Sequence, residues 1–283
     1  MTAPLLEVSH LDVAYPVKGW RRPDFPALRD VSLAIETGET LGLVGESGSG
    51  KTTLGRAILG LAPVTAGDIA FQGAQIARLP RSARRALSKD IQVIFQDPYS
   101  SLNPAMTVSD ILAEPLTAGG ASRADAHRRV RELLDRVGLP ADAARRLPRE
   151  FSGGQRQRIA IARALARGPK LIVCDEVVSA LDLTTQARVL DLLIELQENT
   201  GVAYLFISHD LSVVRHISHR VAVMLRGRII EEGDAETVTS TPAEPYTQRL
   251  LLASPVADPV EQAARRAHYD SLPPIAAPKV VEK

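Results

Sequence analysis

Two short stretches of this chain carry residue types that could hold and cleave a polyphosphate. The first is Gly45-Glu46-Ser47-Gly48-Ser49-Gly50-Lys51-Thr52, with Thr53 directly after it. Glycines let successive backbone N–H groups curl around an anion without Cβ clashes. Lys51 can reach outer phosphates as a point charge, and the Thr52 hydroxyl can ligate Mg²⁺. The second stretch is Leu171-Ile172-Val173-Cys174-Asp175-Glu176. A carboxylate at Asp175, at the carboxyl end of a buried strand, stands where open α/β sheets place ligands. It can hold Mg²⁺ through water, and Glu176 can polarise an attacking water. An acidic pair after an apolar strand is bland by itself; beside the glycine-rich loop it becomes the second half of a nucleotide site.

These residues need particular elements beneath them. Leu41-Gly42-Leu43-Val44 is a short apolar strand, and Thr52 to Leu61 looks helical, so the loop has the strand-before, helix-after context that phosphate binding requires. The helix points its positive end at the same anion. Leu171–Cys174 and Val202–Ile207 are continuous apolar runs, as expected of parallel strands buried on both faces. Thr185 to Gln197 between them reads as a helix. The alternation predicts a mostly parallel sheet covered by helices. Before it, Leu6–Val8, Leu11–Val13 and Val31–Ile35 read as an N-terminal β region, with a long loop over Pro16 to Pro26. Val130, Leu133, Leu134 and Val137 share one helix face, and the Ala, Arg and Leu-rich stretch around them, about 97–168, reads as an inserted helical subdomain. Val221 to Ile230 reads as a hairpin turning at Arg226-Gly227. A main domain is expected over 1–252. From about 253 to 283, Pro and Ala recur without period, which predicts an extended or partly disordered tail.

The bulk composition excludes several classes. In 283 residues the charge sums to +1, so no global field favours nucleic acid. Cys174 is the only cysteine, which rules out an internal disulfide or a multi-thiolate metal site. No signal-like start and no apolar run near 18 residues is visible, so other chains would have to cross any membrane this one serves. No internal repeat is apparent, and one nucleotide-binding unit is expected.

A third stretch narrows the field. Phe151-Ser152-Gly153-Gly154-Gln155-Arg156-Gln157-Arg158 precedes a helix, and a Ser hydroxyl with two glycine N–H groups at a helix start is a second anion site. This resembles the signature sequence of ABC (ATP-binding cassette) ATPases, with Phe151 where Leu is more usual. The resemblance spans about residues 5 to 256. It implies a P-loop cassette of α/β class, ATP and Mg²⁺ as cofactors, and ATP hydrolysis. It further implies that Gln96 senses Mg²⁺ and the γ-phosphate, that His209 contacts the γ-phosphate, and that Tyr15 stacks on adenine. Ser179 to Asp182 resembles the loop that crosses a dimer interface. Two cassettes would face head to tail, with the phosphate loop of one meeting Ser152, Gly153, Gly154 and Gln155 of the other. Val177 stands where the family usually has Pro; both carboxylates remain, and activity is expected to survive.

Asp97-Pro98-Tyr99-Ser100-Ser101-Leu102-Asn103-Pro104 looks like the oligopeptide, dipeptide and nickel importer branch. Glu244-Pro245-Tyr246-Thr247, followed by Leu250–Leu252 and Ser254-Pro255, resembles the C-terminal extension of that branch. The resemblance implies a second cassette, integral membrane permease subunits and an extracytoplasmic solute-binding protein as partners, with no nucleic acid. The chain would then sit peripherally on the cytoplasmic face of the cell membrane. Peptide cargo is the first expectation and nickel or a metal chelate the alternative. A soluble non-transport ABC protein and an inactive regulatory cassette are competing classes; the intact Lys51, Asp175, Glu176 and His209 set argues against the inactive one.

Overall fold

Apolar runs and glycine turns resolve into two sheets and a set of helices in the computed structural model, which describes residues 3–17, 23–97, 101–253 and 258–272. The strands are β1 (Leu6–Tyr15), β2 (Phe25–Ile35), β3 (Thr40–Val44), β4 (Val64–Phe71), β5 (Ala74–Gln75), β6 (Ile91–Ile94), β7 (Leu171–Asp175), β8 (Ala203–Ile207), β9 (Arg220–Leu225) and β10 (Arg228–Asp234). The helices are α1 (Lys51–Ile58), α2 (Arg81–Leu87), α3 (Val108–Ala118), α4 (Arg123–Arg136), α5 (Gly153–Leu165), α6 (Leu183–Thr200), α7 (Leu211–Ile217), α8 (Ala235–Ser240), α9 (Pro245–Ala253) and α10 (Pro259–Ser271).

One sheet has the order β10-β9-β3-β8-β7-β6, parallel throughout except for the β9–β10 hairpin. The other, β2-β1-β4-β5, is antiparallel. The expected fold class is therefore the one observed. Alternation explains why the parallel strands are apolar at most positions, since successive side chains enter cores on opposite faces. Leu171, Val173, Leu205 and Ile207 face one core together with α1 and the antiparallel sheet. Ile172, Cys174, Tyr204 and Phe206 face the other, which continues into α3, α4 and α5. The helical insertion thus shares a core with the sheet through Ile94, Leu102, Val108 and Ile159. Val130, Leu133, Leu134 and Val137 are all buried there, as their spacing predicts.

The structure departs from the sequence reading in four places. Leu6–Val8 and Leu11–Val13 belong to one strand, interrupted by irregular pairing with β2 between Val8 and Leu11. Phe25 and Pro26, read as loop, begin β2 by pairing with Tyr15 and Ala14. β4, β5 and α2 carry no strong periodic signal; β4 buries only two of its eight positions. The tail, expected to be extended, contains α10. That helix lies on α9, where Arg249 donates to the Leu272 carbonyl at 2.7 Å and its guanidinium stands 5.1 Å from the Tyr269 ring. Pro98–Ser100 and Ser254-Pro255, parts of the two importer-like motifs, lie outside the described residues.

Candidate functional site

The parallel register aligns the strand ends. Leu43 pairs with Ile207, and Ile207 pairs with Asp175, so three strands stop in one row. Ile94 pairs with Cys174, which brings the end of β6 beside them. The loop after β3, His209 after β8, Asp175 at the end of β7 with Glu176 directly after it, and Gln96 after β6 therefore emerge at one edge of the sheet.

The loop turns immediately after Val44. Gly45 has φ of 153°, and a Cβ there would stand 2.2 Å from the Met224 carbonyl oxygen, so only glycine fits. Glu46, Ser47 and Gly48 form the exposed part of the loop, and Ser49 is buried. Gly50 precedes α1, and no side chain caps that helix. Its first N–H groups consequently remain available to an anion. Lys51 is buried, and its ammonium donates to the carbonyls of Gly45 at 2.6 Å and Glu46 at 2.9 Å. Burial holds it below the usual lysine range, while the charges of Glu176, Asp175 and Glu46 act in the opposite direction.

Thr52 donates from its hydroxyl to Asp175 Oδ1 at 3.1 Å, joining the two stretches identified in the sequence across 123 residues. Burial pushes the Asp175 carboxyl above the usual range; the Thr52 hydrogen bond pulls it down and the Glu176 charge pushes it further up. A carboxylate in that position gains from a cation. The side-chain oxygens of Thr52, Asp175 and Gln96 are hard donors of the kind Mg²⁺ takes, so the residues fit the ion.

Glu176 is held from several sides. Gln96 Nε2 donates to its Oε2 at 3.0 Å, and His209 Nδ1 stands 3.6 Å from its Oε1. Its backbone has φ of 51°, the left-handed region, which costs a non-glycine residue about 1–3 kcal/mol. Its N–H donates to the Ile207 carbonyl at 3.0 Å, and the Glu176 carbonyl accepts from Ser179 Oγ at 3.0 Å. These bonds over-determine the conformation and aim the carboxylate at the loop. Val177 is buried in the core.

A cleft of about 270 Å³ opens beside the loop, lined by Tyr15, Phe25, Ser47, Gly48, Lys51 and Glu176 among others, including Thr53. Phe25 is 60% exposed and was not anticipated from the sequence, because it falls in what reads as a loop. An exposed aromatic directly before Pro26 is the signal that could have drawn attention to it. Tyr15 and Phe25 face each other across β1 and β2 and present ring surface to that cleft.

Ser152, Gly154 and Gln155 are not part of this cleft. They line a separate one of about 440 Å³ with Arg158, Thr185 and Arg188. Ser152 caps α5 by accepting from the Gln155 N–H at 3.3 Å, and Gln155 accepts from the Ser152 N–H at 3.0 Å. Gly153 and Gly154 form the first turn of α5. One chain therefore holds two anion-type surfaces that do not meet within it.

Three comparisons bear on this geometry. A family profile described as "ABC transporter" matches residues 28–179. The chain is 50% identical over 261 residues to the glutathione import ATP-binding protein GsiA of Pectobacterium atrosepticum, covering 90% of this chain and 42% of that protein. It is 53% identical over 236 residues to the oligopeptide transport ATP-binding protein OppD of Mycobacterium bovis, covering 83% and 39%. The chain thus spans about two fifths of the length of these curated relatives. Among solved structures, cbiO1 from Clostridium perfringens, part of the ABC transporter complex cbiONQ, superposes with a TM-score of 0.75 at 27% identity, over 84% of this chain and 91% of that one. The ATP-binding cassette MJ0796, a dimer bound to ADP and Pi in a post-hydrolysis state, gives 0.73 at 29% identity over 81% and 98%.

Proposed function

This chain belongs to the ABC transporter family, and from that premise we propose that it is the ATP-hydrolysing motor of a membrane importer for peptides. The observation that carries the proposal is the convergence of Lys51, Thr52, Gln96, Asp175, Glu176 and His209 at the ends of four adjacent strands. No other chemistry suits a glycine-rich helix start, a buried lysine and two carboxylates so directly as attack of water on a terminal phosphate.

The site residues take these roles. Backbone N–H groups from Gly45 to Thr53 cradle the phosphates, and Lys51, which uses two of its three donors on loop carbonyls, meets the outer ones. Tyr15, with Phe25, packs against the base. Glu176 accepts the proton of the attacking water, which Gln96 and His209 orient toward the γ-phosphate. Thr52, Asp175 and Gln96 hold Mg²⁺, which supplies charge neutralisation on the phosphate oxygens. Phosphoryl transfer asks mostly for positioning and electrostatic stabilisation, and the strand ends provide both.

Ser152 to Gln155 act on the nucleotide of a second cassette. The separation of the two clefts supports this reading, as does the dimeric state named for MJ0796. Permease subunits dock through a cytoplasmic helix on the apolar hollow lined by Leu59, Leu61, Leu87 and Val93, where Leu61 is 64% exposed. Among the described residues no helix is long and apolar enough to cross a membrane, so that task falls to partner chains. The chain sits on the cytoplasmic face, and an extracytoplasmic binding protein delivers the solute. The names of the relatives support peptide cargo, since glutathione is itself a short peptide and the other is named for oligopeptide transport. Deleting the gene and measuring uptake of labelled di- and oligopeptides beside nickel tests the assignment. Lost peptide uptake is expected; normal peptide uptake with lost nickel uptake overturns the cargo.

A further inference from the structure

Glu244-Pro245-Tyr246-Thr247 plays no part in the chemistry above, yet it starts α9, and α9 touches the phosphate loop. The Tyr246 ring is buried in the core that also contains Val44 and Cys174. Its hydroxyl accepts a hydrogen bond from the Glu46 backbone N–H at 3.0 Å, across 200 residues of chain. Glu46 is the residue directly after the turn at Gly45. Its carbonyl is held from the other side by Lys51 Nζ at 2.9 Å. The two backbone polar groups of Glu46 are therefore both held, the carbonyl by a lysine inside the loop and the N–H by a tyrosine far outside it.

The two grips differ in what nucleotide does to them. A phosphate competes with the Glu46 carbonyl for the Lys51 ammonium. The Tyr246 hydroxyl meets only the outer side of the loop and can stay in place. Glycine and serine supply little packing to fix such a turn, so an external bond decides how much of its conformational freedom is already removed before an anion arrives. Burial raises the Tyr246 phenol above the usual tyrosine range, so it remains neutral. Behind it, α9 is braced by α10 through the Arg249 contacts to Leu272 and Tyr269.

We propose that Tyr246 is a positioning residue for nucleotide binding, whose hydroxyl preorganises the first turn of the phosphate loop. The inference rests on the loop being the nucleotide site. Tyr246→Phe removes one oxygen and keeps the buried ring. In the full chain this change weakens binding of Mg·ATP and of ADP alike by about three- to tenfold, the scale of one neutral hydrogen bond. Turnover at saturating ATP stays within about twofold, because the bound phosphates then hold the loop themselves. A purely structural role lowers the melting temperature and leaves both dissociation constants at wild-type values, and that result overturns the proposal. Amide exchange at Glu46 in the unmodified chain provides a reading independent of any variant. Protection is expected there despite the exposed position of the loop, and unprotected exchange also overturns the proposal. Lys51→Ala is measured alongside. If it binds ATP normally, the loop is not the site and the earlier reading fails with it. If it loses ATP while Tyr246→Phe binds like wild type, only the role of Tyr246 falls.

Discussion

The starts of α1 and α5 are both built to meet an anion, and they are built in opposite ways. At α1 the preceding residue is Gly50, no side chain caps the helix, and Lys51 is buried among the loop carbonyls. At α5, Ser152 and Gln155 form a reciprocal capping box that satisfies two donors from within the chain. The first surface is left open and supplied with a charge. The second is closed on itself, and the arginine of its first turn, Arg156, donates back to the Phe151 and Arg149 carbonyls. An open helix start with its own cation can hold an anion unaided. A self-capped start has to exchange an internal hydrogen bond for an external one, so it contributes most when another surface presents the ligand already positioned. Under the proposed function, the contrast accounts for a chain that binds nucleotide by itself and takes a second cassette to complete the site.

The largest expected effect tests the chemistry at the open surface. Glu176→Gln should cut hydrolysis by about 100-fold or more, the usual scale for a lost general base, while leaving ATP affinity intact. The Gln96 contact can survive through the new amide, so geometry is not the variable. Steady-state phosphate release together with an ATP-binding titration gives the answer, and near-normal turnover removes Glu176 from the base role.

Next comes the charge that distinguishes the open surface from the closed one. Lys51→Ala should weaken ATP binding about 100-fold, the upper range for hydrogen bonds to a charged group. A fluorescent ATP analogue reports it. Unchanged affinity would erase the contrast between the two helix starts.

Gly154 tests how the closed surface is held. A Cβ at that position would stand 2.3 Å from Thr185 Cγ2, so α5 approaches the start of α6 more closely than any larger residue allows. Gly154→Ala should destabilise the fold by about 1–3 kcal/mol through overpacking. Thr185→Ser removes the offending methyl and should recover most of the loss. Urea denaturation of both single variants and the pair supplies the cycle; failure of the second change to rescue the first would show that the clash is not the cause.

The smallest effect concerns the cap itself. Ser152→Ala should cost about 1 kcal/mol of stability, as lost N-caps do. In the isolated chain ATP affinity should change by less than about twofold, whereas hydrolysis by the paired cassettes should fall. A loss of affinity in the isolated chain equal to that of Lys51→Ala would mean that both surfaces serve one nucleotide within a single chain.

Residues whose chemistry depends on their immediate neighbours were legible without coordinates. The loop from Gly45 to Thr52 declares itself because a tight turn around an anion demands glycine, and the strand and helix beside it have their own local periodicities. Asp175 and Glu176 follow a run apolar at every position, which only a strand buried on both faces tolerates, and β7 is such a strand. Ser152 with Gln155 is a capping pair readable from spacing alone. Gln96 and His209 were different: single polar residues after strands, given meaning only by resemblance to a family.

Tertiary structure decided everything that required distant segments to meet. The order β3-β8-β7-β6 sets Gln96 3.0 Å from Glu176 across 80 residues, and no local pattern specifies which parallel strand neighbours which. It likewise put Phe25 opposite Tyr15, gave Tyr246 the Glu46 N–H as partner, and folded α10 back onto α9. It also kept Ser152 away from Lys51, which the sequence order of the motifs does not reveal. The physical reason is the same throughout. Turns, caps and periodic faces depend on energies set within a few residues, whereas strand order and cleft composition depend on which surfaces bury best together, a property of the whole chain.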